Sequence, residues 1–161
     1  MSKKNSNIED KYKLNIGSGE ITSENSVKLL GIEIDNKLSF DAHVSCLCKK
    51  ASNQLNAIGR IHNLLGKKEK ETLITSFVYA NFNYCPLVWN FCSAKSVEKI
   101  EKIQKRALRI LLNDYESNYE TLLIKSNKCS MQVKRMQTLG IEIFKTLNSL
   151  SRVHERYFLS K

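Results

Sequence analysis

The chain has 161 residues, a formal net charge of +10 and an apolar fraction of 42%, which together predict one globular domain with a sizeable core. No run of about twenty apolar residues occurs, so no transmembrane helix is expected, and the polar N-terminus lacks the apolar core of a signal peptide. The odd number of cysteines, five, fits reduced thiols better than a disulfide framework, so an intracellular protein, cytoplasmic or nuclear and not secreted, is predicted. The basic excess favours a polyanionic partner, with nucleic acid ahead of membrane.

Short strands are predicted near the start of the chain. Residues 1–12 are polar and are expected to form a disordered tail. Lys13–Ile16 and Glu20–Thr22 flank the glycine-containing segment Gly17–Gly19, which predicts a hairpin. Val27–Ile34 predicts a third strand, because apolar residues alternate along it. Its expected core-facing residues are Leu30, Ile32 and Ile34.

Two long helices are predicted next. Asp41 is a candidate N-cap for a helix that runs to about Leu65, and Gly66 can begin the following helix. That second helix should end at about Cys85, because Pro86, the only proline of the chain, removes a backbone donor there. Its apolar face is broad, which indicates a central helix. The residues on this face are Leu73, Ile74, Phe77, Val78 and Phe82.

Three further helices complete the predicted fold. Ser96 is a candidate N-cap for a helix that ends near Leu112, Ser117–Glu120 forms a capping box for a short helix, and Ser130 can cap a last helix to about Leu150. The residues of the last helix expected to face the core are Val133, Met136, Ile143, Phe144 and Leu147. The predicted class is α+β, mostly α: a short N-terminal β-hairpin and strand element followed by a bundle of about four to five helices.

A basic stripe lies on the third predicted helix. Its four cations, which fall within about a quarter of the helix circumference, are Lys99, Lys102, Arg106 and Arg109. A second stripe, expected to face the core, consists of Ile100, Ile103, Ala107 and Ile110. A basic ridge on an anchored helix can follow phosphates along a duplex. Further cations, on and after the first helix, are Lys49, Lys50, Arg60, Lys67 and Lys68.

The alternative interpretation of these cations is a solvated helix face. Glu98 with Lys102, and Glu101 with Lys105, have the i, i+4 spacing of favourable ion pairs. Spacing alone leaves the two interpretations about equal.

Other residues that could carry chemistry form weaker patterns. Glu33 and Asp35 share one strand face, where paired carboxylates can hold a metal ion but more commonly form the solvated face of a half-buried strand. His43, Cys46 and Cys48 do not have the paired spacing of zinc ligands. These two cysteines, like Cys85 and Cys92, are expected to be small buried apolar groups. No metal site is predicted.

Two blocks of the sequence resemble the reverse transcriptases of non-LTR retrotransposons of the jockey kind. Residues 82–89, FNYCPLVW, with residues 91–111, FCSAKSVEKIEKIQKRALRIL, resemble the region just after the polymerase palm. Residues 27–38, VKLLGIEIDNKL, resemble the segment that closes the palm. The resemblance covers about residues 13–150 and implies three regions. These are palm-end, primer-grip-like strands over 13–38, a thumb-like helical domain over 39–150 and a C-terminal tail over 151–161.

The resemblance also implies roles for individual residues. Leu29, Leu30 and Gly31 look like the core of the primer grip, where a missing side chain lets a sugar–phosphate backbone approach. A bulge or a packing glycine explains Gly31 equally well from the sequence alone. The thumb-like cations would contact a hybrid duplex, which is recognised by shape and backbone. The aromatic corner with Tyr84 and Trp89 is expected in the core.

In the family, paired aspartates hold two metal ions at the primer end. This chain contains no Asp-Asp pair, so it is expected to be a truncated, non-catalytic fragment without a cofactor, whereas the intact polymerase would use Mg²⁺ and dNTPs. The expected partners are an RNA–DNA hybrid or another nucleic-acid duplex and the palm and fingers of a polymerase, and no membrane. The alternative is a helical protein-interaction module, or a non-functional transposon remnant, with no nucleic-acid role.

Overall fold

The computed structural model describes residues 24–148 in full and the backbone of residues 14–16 and 19–21. Two short antiparallel hairpins precede a set of helices, which confirms the predicted α+β, mostly α class. The tails predicted for residues 1–12 and 151–161 lie outside the described residues. No helix in the described part of the chain has the length and apolar composition that crossing a bilayer requires.

The first hairpin is confirmed, and the predicted third strand is a second hairpin. Strand β1 (Leu14–Ile16) pairs antiparallel with β2 (Gly19–Ile21). Strands β3 (Ser26–Leu29) and β4 (Ile32–Asp35) pair across a two-residue turn, so the prediction of one strand over residues 27–34 is wrong. Both turn residues have positive φ, 48° and 84°, the pattern of the type I′ turn whose twist matches that of the flanking strands.

The turn changes which side chains meet the core. Ile32 is buried, as predicted, whereas Ile34 is only half-buried. Leu30 is 82% exposed, and the prediction that it faces the core is wrong because it occupies the tip of the turn. Along β4, Glu33, Ile34 and Asp35 are all half-buried, so the predicted alternation of burial is not seen beyond Ile32.

The helices follow in the predicted order. They are α1 (Asp41–Ile61) with a 3₁₀ turn (His62–Leu64), α2 (Lys67–Leu73), a π-helical segment (Ile74–Tyr79), α3 (Ala80–Asn83), α4 (Ala94–Leu112), α5 (Tyr119–Ser126) and α6 (Met131–Leu147). The segment from α2 to α3 is the predicted central helix. The first, second and last helices end a few residues earlier than predicted, at Ile61, Asn83 and Leu147.

Asp41 and Ser96 are not the N-caps that their positions suggested. Asp41 is the first helical residue of α1, after Phe40 in a left-handed conformation. Its carboxylate accepts hydrogen bonds from the Ser93 and Ser96 hydroxyls, which ties the start of α1 to the start of α4. Ser93 caps α4, because its Oγ accepts a hydrogen bond from the Ser96 N–H at 3.3 Å.

The last two helices have side-chain caps. Ser130 caps α6 as predicted, and its Oγ accepts a hydrogen bond from the Val133 N–H at 3.2 Å. The cap of α5 is Asn118, whose Oδ1 accepts a hydrogen bond from the Thr121 N–H at 2.8 Å. The capping box predicted with Ser117 as the cap is therefore wrong by one residue.

The core lies between α1, the α2–α3 segment and α4, with Trp89 at 0% exposure. The predicted core stripe of α4 is confirmed, since Ile100, Ile103, Ala107 and Ile110 are all buried. Phe77 is 53% exposed, whereas Val78 and Tyr79 are buried. The placement of Phe77 in the core is wrong because the π-helical segment, with its i→i+5 bonds, shifts the 3.6-residue pattern.

Helix α6 packs by an unexpected face. Its buried residues are Met131 and Arg135, and the Arg135 guanidinium lies 5.2 Å from the centroid of the Trp89 ring. The five apolar residues predicted to face the core, namely Val133, Met136, Ile143, Phe144 and Leu147, are between 46% and 78% exposed. This prediction is wrong because the stacked Arg135, and not the apolar stripe, meets the core.

The five cysteines are free. Cys48 and Cys92 are buried as predicted, and burial raises the pKa of Cys48 to about 11. Cys46 and Cys85 are exposed, so their prediction as buried apolar groups is wrong. Cys85 lies in the turn before Pro86 with a φ of 44°, where the chain leaves the central helix.

Candidate nucleic-acid interface

Packing of α4 against α1 brings most of the predicted basic residues to one surface. Lys99 Nζ donates a hydrogen bond to Ser45 Oγ at 3.0 Å, and the Arg106 guanidinium donates one to Asn56 Oδ1. Lys49 lies on the same side of α1, about one turn after Ser45 and about two turns before Asn56. The structure therefore places three predicted cations, from two helices, side by side.

We call this the α1–α4 basic surface, formed by Lys49, Arg60, Lys99, Lys102 and Arg106. Helix α1 has no carboxylate after Asp41, and Asp41 is engaged by Ser93 and Ser96. The hydrogen bond from Ser93 and that from Ser96 lower the pKa of Asp41. After Asp41, the solvent-facing side of α1 therefore carries cations and uncharged residues but no carboxylate.

The predicted ion pairs on α4 form in part. Lys102 Nζ lies 2.7 Å from Glu98 Oε1, with side chains that are 71% and 64% exposed, and an exposed pair of this kind contributes little. The pair between Glu101 and Lys105 is not formed among the described residues. Glu101 instead accepts hydrogen bonds from the Tyr119 hydroxyl and, at 2.7 Å, from the Gln132 N–H. The ion pair expected for a solvated face therefore forms at Lys102, whereas Lys99 and Arg106 donate hydrogen bonds to neutral side chains of α1.

Arg109 differs from the other three cations of the stripe. It is half-buried, and its Nε is enclosed without a hydrogen-bond partner among the described residues. Lys99, Lys102 and Arg106 are exposed. A phosphate approaching from solvent therefore meets these three more readily than Arg109.

A cleft of about 440 Å³ opens between α1 and α4. It is lined by Asn56, Gly59, Arg60, Arg106, Ile110 and Tyr115. Two guanidinium groups and no carboxylate line it, which suits an anionic ligand because guanidinium groups form charge-assisted hydrogen bonds with phosphate. Tyr115 was not singled out from the sequence, because it lies in the connection between α4 and α5, outside any periodic pattern.

The turn that resembles a primer grip lies against a different part of α1. The Tyr84 hydroxyl donates a hydrogen bond to the Leu30 carbonyl at 2.9 Å. A cleft of about 450 Å³ beside this bond is lined by Leu30, Gly31, Lys50 and Tyr84, among others. Leu29 and Leu30 are exposed, at 58% and 82%. Lys50 therefore belongs with the turn and not with the α1–α4 basic surface.

Tyr84 and Trp89 have opposite environments. Trp89 is buried, as predicted, and its Nε1–H donates a hydrogen bond to the Tyr84 carbonyl at 3.3 Å. Tyr84 is 52% exposed, so its placement in the core is wrong. The helix ends at Asn83, and Tyr84 already has an extended backbone that turns its ring towards the hairpin.

Gly31 has a conformational reason to be glycine. Its φ is +84°, and a Cβ at this position would have no atom within 4 Å. It is therefore neither a bulge nor a packing glycine, and the open space above it is compatible with the close approach of a ligand backbone. That approach stays a prediction.

His43 lies beneath the same turn. It is 4% exposed, its Nδ1 accepts a hydrogen bond from the Glu33 N–H at 3.4 Å, and its Nε2 is buried without a partner among the described residues. Burial lowers the pKa of His43 below its ordinary value, and the nearby Glu33 carboxylate opposes that shift. His43 therefore supports the hairpin as a neutral side chain.

The Asp35 carboxylate of β4 has a structural role. Asp35 accepts hydrogen bonds from the Ser39 N–H and hydroxyl and from the Phe40 N–H, at 3.1, 3.1 and 2.7 Å. The backbone hydrogen bond from Ser39, with the others, lowers the pKa of Asp35. Within residues 24–148, no three side chains of His, Cys, Asp or Glu are grouped so that they could hold a metal ion.

The two regions meet on α1. Lys49 and Lys50 are exposed neighbours that project about 100° apart around the helix. Basic character therefore continues from the α1–α4 basic surface towards the turn at Leu30 and Gly31.

No family model, curated protein or solved structure matches this chain.

Proposed function

We propose that this chain binds the sugar–phosphate backbone of a nucleic-acid duplex, such as an RNA–DNA hybrid, without reading its sequence and without catalysis. In this proposal it is the late-palm, primer-grip and thumb part of a non-LTR retrotransposon reverse transcriptase. The two sequence blocks that resemble that family support the proposal. The net charge of +10 and the arrangement of cations on α1 and α4 support duplex binding, independently of the family resemblance.

One observation carries the proposal. Lys99 and Arg106 of α4 donate hydrogen bonds to Ser45 and Asn56 of α1. Both cations therefore lie beside Lys49 of α1, and α1 has no free carboxylate. Lys99 and Arg106 are two helical turns apart, about 10 Å along the axis. This spacing is within about one Debye length at 0.1 M salt, so the cations act together on one polyanion.

The test is a titration of a fluorescent RNA–DNA hybrid followed by anisotropy. About four phosphate contacts predict a fall in affinity of about a hundredfold between 50 and 200 mM salt, because log K falls by about 0.9 per contact for each decade of salt. Replacing Lys49, Lys99 and Arg106 by Ala should weaken binding to every sequence alike and flatten the salt slope by about three.

A matched control removes the same charge elsewhere. Lys125, Lys134 and Lys145 lie on α5 and α6, and changing all three to Ala lowers the net charge equally. This variant should keep most of the affinity. An equal loss in both triple variants would contradict a defined surface, and absent or salt-independent binding of the unchanged protein would contradict duplex binding altogether.

The second candidate is a helical protein-interaction module. The observation in its favour is the exposed apolar hairpin, where Val27, Leu29 and Leu30 are 58%, 58% and 82% exposed. A contiguous apolar patch of this kind can mark a protein interface. This candidate, like a transposon remnant without a role, predicts no affinity for duplex, so the same titration separates it from the proposal.

A further inference from the structure

Helix α6 presents an apolar stripe to solvent and a different face to the bundle. With Gly140, the stripe consists of Val133, Met136, Ile143, Phe144 and Leu147, and its members fall within about 100° of the helix circumference. Its five apolar side chains are between 46% and 78% exposed. The buried residues Met131 and Arg135 project from the opposite side. An amphipathic helix ordinarily has the reverse orientation.

The spacing within the stripe is that of a helix–helix seam. Positions 133, 136, 140, 143 and 147 alternate steps of three and four residues, which is the a and d pattern of two packed helices with a repeat of about 3.5 residues. A second α6 carries the same seam. The stripe is therefore complementary to itself.

The positions that flank this seam carry no charge. In the heptad numbering that places Val133 at a, the flanking e and g residues are Gln132, Gln137, Leu139, Phe144 and Thr146. Two copies of a chain with a net charge of +10 repel each other overall, and an uncharged contact surface adds no further repulsion. An acidic partner would be matched by flanking cations, and this seam has none. The charge pattern therefore favours a second copy over an unlike acidic protein.

Gly140 fits the same explanation. A glycine inside a helix costs about 1 kcal/mol relative to alanine, and a Cβ at Gly140 would meet no atom within 4 Å. The packing of the chain itself therefore does not require glycine here. At the middle of the seam, a missing side chain lets a facing helix backbone approach closely.

We propose that two copies of this chain associate through the α6 stripe, seam against seam, as a homodimer. The proposal does not depend on nucleic-acid binding. The seam from Val133 to Leu147 is about 21 Å long and spans about two heptads, fewer than the three to four that define a sustained coiled coil. The dimer should therefore be weak and concentration-dependent.

Sedimentation equilibrium of the full chain over a hundredfold range of concentration tests the proposal. The apparent mass should rise from 18.5 kDa towards twice that value. Met136→Glu and Ile143→Glu should each weaken the dimer at least tenfold, because each introduces a charge that association would bury. Both side chains are about half exposed, so circular dichroism should show unchanged helix content.

The control variant is Ile124→Glu, which makes the same change at an 80% exposed residue of α5, outside the stripe. It should dimerise like the unchanged protein. A chain that is monomeric at every concentration would overturn the proposal. In that case, binding of an apolar dye would show whether the stripe is free for an unlike partner or already covered. A dimer that survives both glutamate variants would overturn it equally.

Discussion

Leu30 has a backbone conformation that leucine rarely adopts. Its φ is 48° and its side chain is 82% exposed, so little burial offsets a conformational cost of about 1–2 kcal/mol. Asparagine tolerates this region and precedes glycine in type I′ turns. Leu30→Asn should therefore raise the free energy of unfolding by about 1 kcal/mol, measured by urea denaturation. The Tyr84 hydrogen bond should survive, because its acceptor is the backbone carbonyl.

The neighbouring substitution Leu29→Asn is the control. Leu29 ends strand β3 and is 58% exposed, and asparagine is disfavoured in strands. This variant should be slightly less stable than the unchanged protein. If Leu30→Asn also loses stability, the Leu30 side chain makes a stabilising contact and the strain argument fails. Conformational strain in an exposed apolar residue is also typical of a functional position, so duplex affinity should be measured on both variants.

At the scale of elements, one side chain joins three helices. Gln104 of α4 is 2% exposed. Its Nε2 donates to the Cys129 carbonyl at 2.8 Å, and its Oε1 accepts from the Tyr119 hydroxyl at 2.7 Å and the Met131 N–H at 2.8 Å. Tyr119 begins α5 and Met131 begins α6. Gln104 therefore fixes the positions of both helices against α4.

Gln104→Met keeps the side-chain volume but removes all three hydrogen bonds. Buried polar groups left without partners cost about 1–3 kcal/mol each, so the free energy of unfolding should fall by about 2–4 kcal/mol in urea denaturation. Gln137→Met makes the same change at an exposed site on α6 and should shift stability by less than about 0.5 kcal/mol. Equal effects at the two sites would show that α5 and α6 are positioned by apolar packing alone.

The sequence predicted the elements better than their orientation. The order of the helices and the Ser130 cap follow from local periodicity and capping chemistry, which act within a few residues. The apolar stripe of α6 has the same periodicity whether it meets its own core or another molecule, so its exposure could not be read from spacing. Buried Arg135 was missed because its stacking on Trp89 joins residues far apart in the sequence.

The candidate site was predictable to a similar extent. The stripe on α4 follows from its three- and four-residue spacing. Its position beside Lys49 depends on hydrogen bonds from Lys99 and Arg106 to residues of α1 that lie 50 or more positions earlier in the sequence. Lys50 was grouped with Lys49 by adjacency, but its rotation around α1 places it at the cleft beside Gly31. The hairpin turn was missed because Leu30 is a poor turn residue.

At the scale of the whole molecule, the net positive charge should make salt affect the stability of the free chain and of its duplex complex in opposite directions. The chain has 26 basic and 16 acidic residues, and its net positive charge repels itself in the folded state. Screening weakens this repulsion as salt rises. Salt also weakens attraction to a polyanion, because each counterion released on binding gains less entropy when the bulk salt concentration is higher. Salt should therefore stabilise the free chain and destabilise its complex with duplex.

Thermal unfolding with and without an RNA–DNA hybrid separates the two effects. For the free chain, Tm should rise between about 50 and 500 mM salt, because the Debye length shortens from more than 10 Å to less than 8 Å. Duplex should raise Tm at the low salt concentration, since a ligand that binds only the folded state stabilises it by RT ln(1 + [L]/Kd), and should have no effect at the high one. Adding sucrose in place of salt controls for general solvent effects. A free-chain Tm that falls with salt would show that local ion pairs outweigh the net charge. If duplex still raises Tm at high salt, apolar contacts, and not the α1–α4 basic surface, dominate binding.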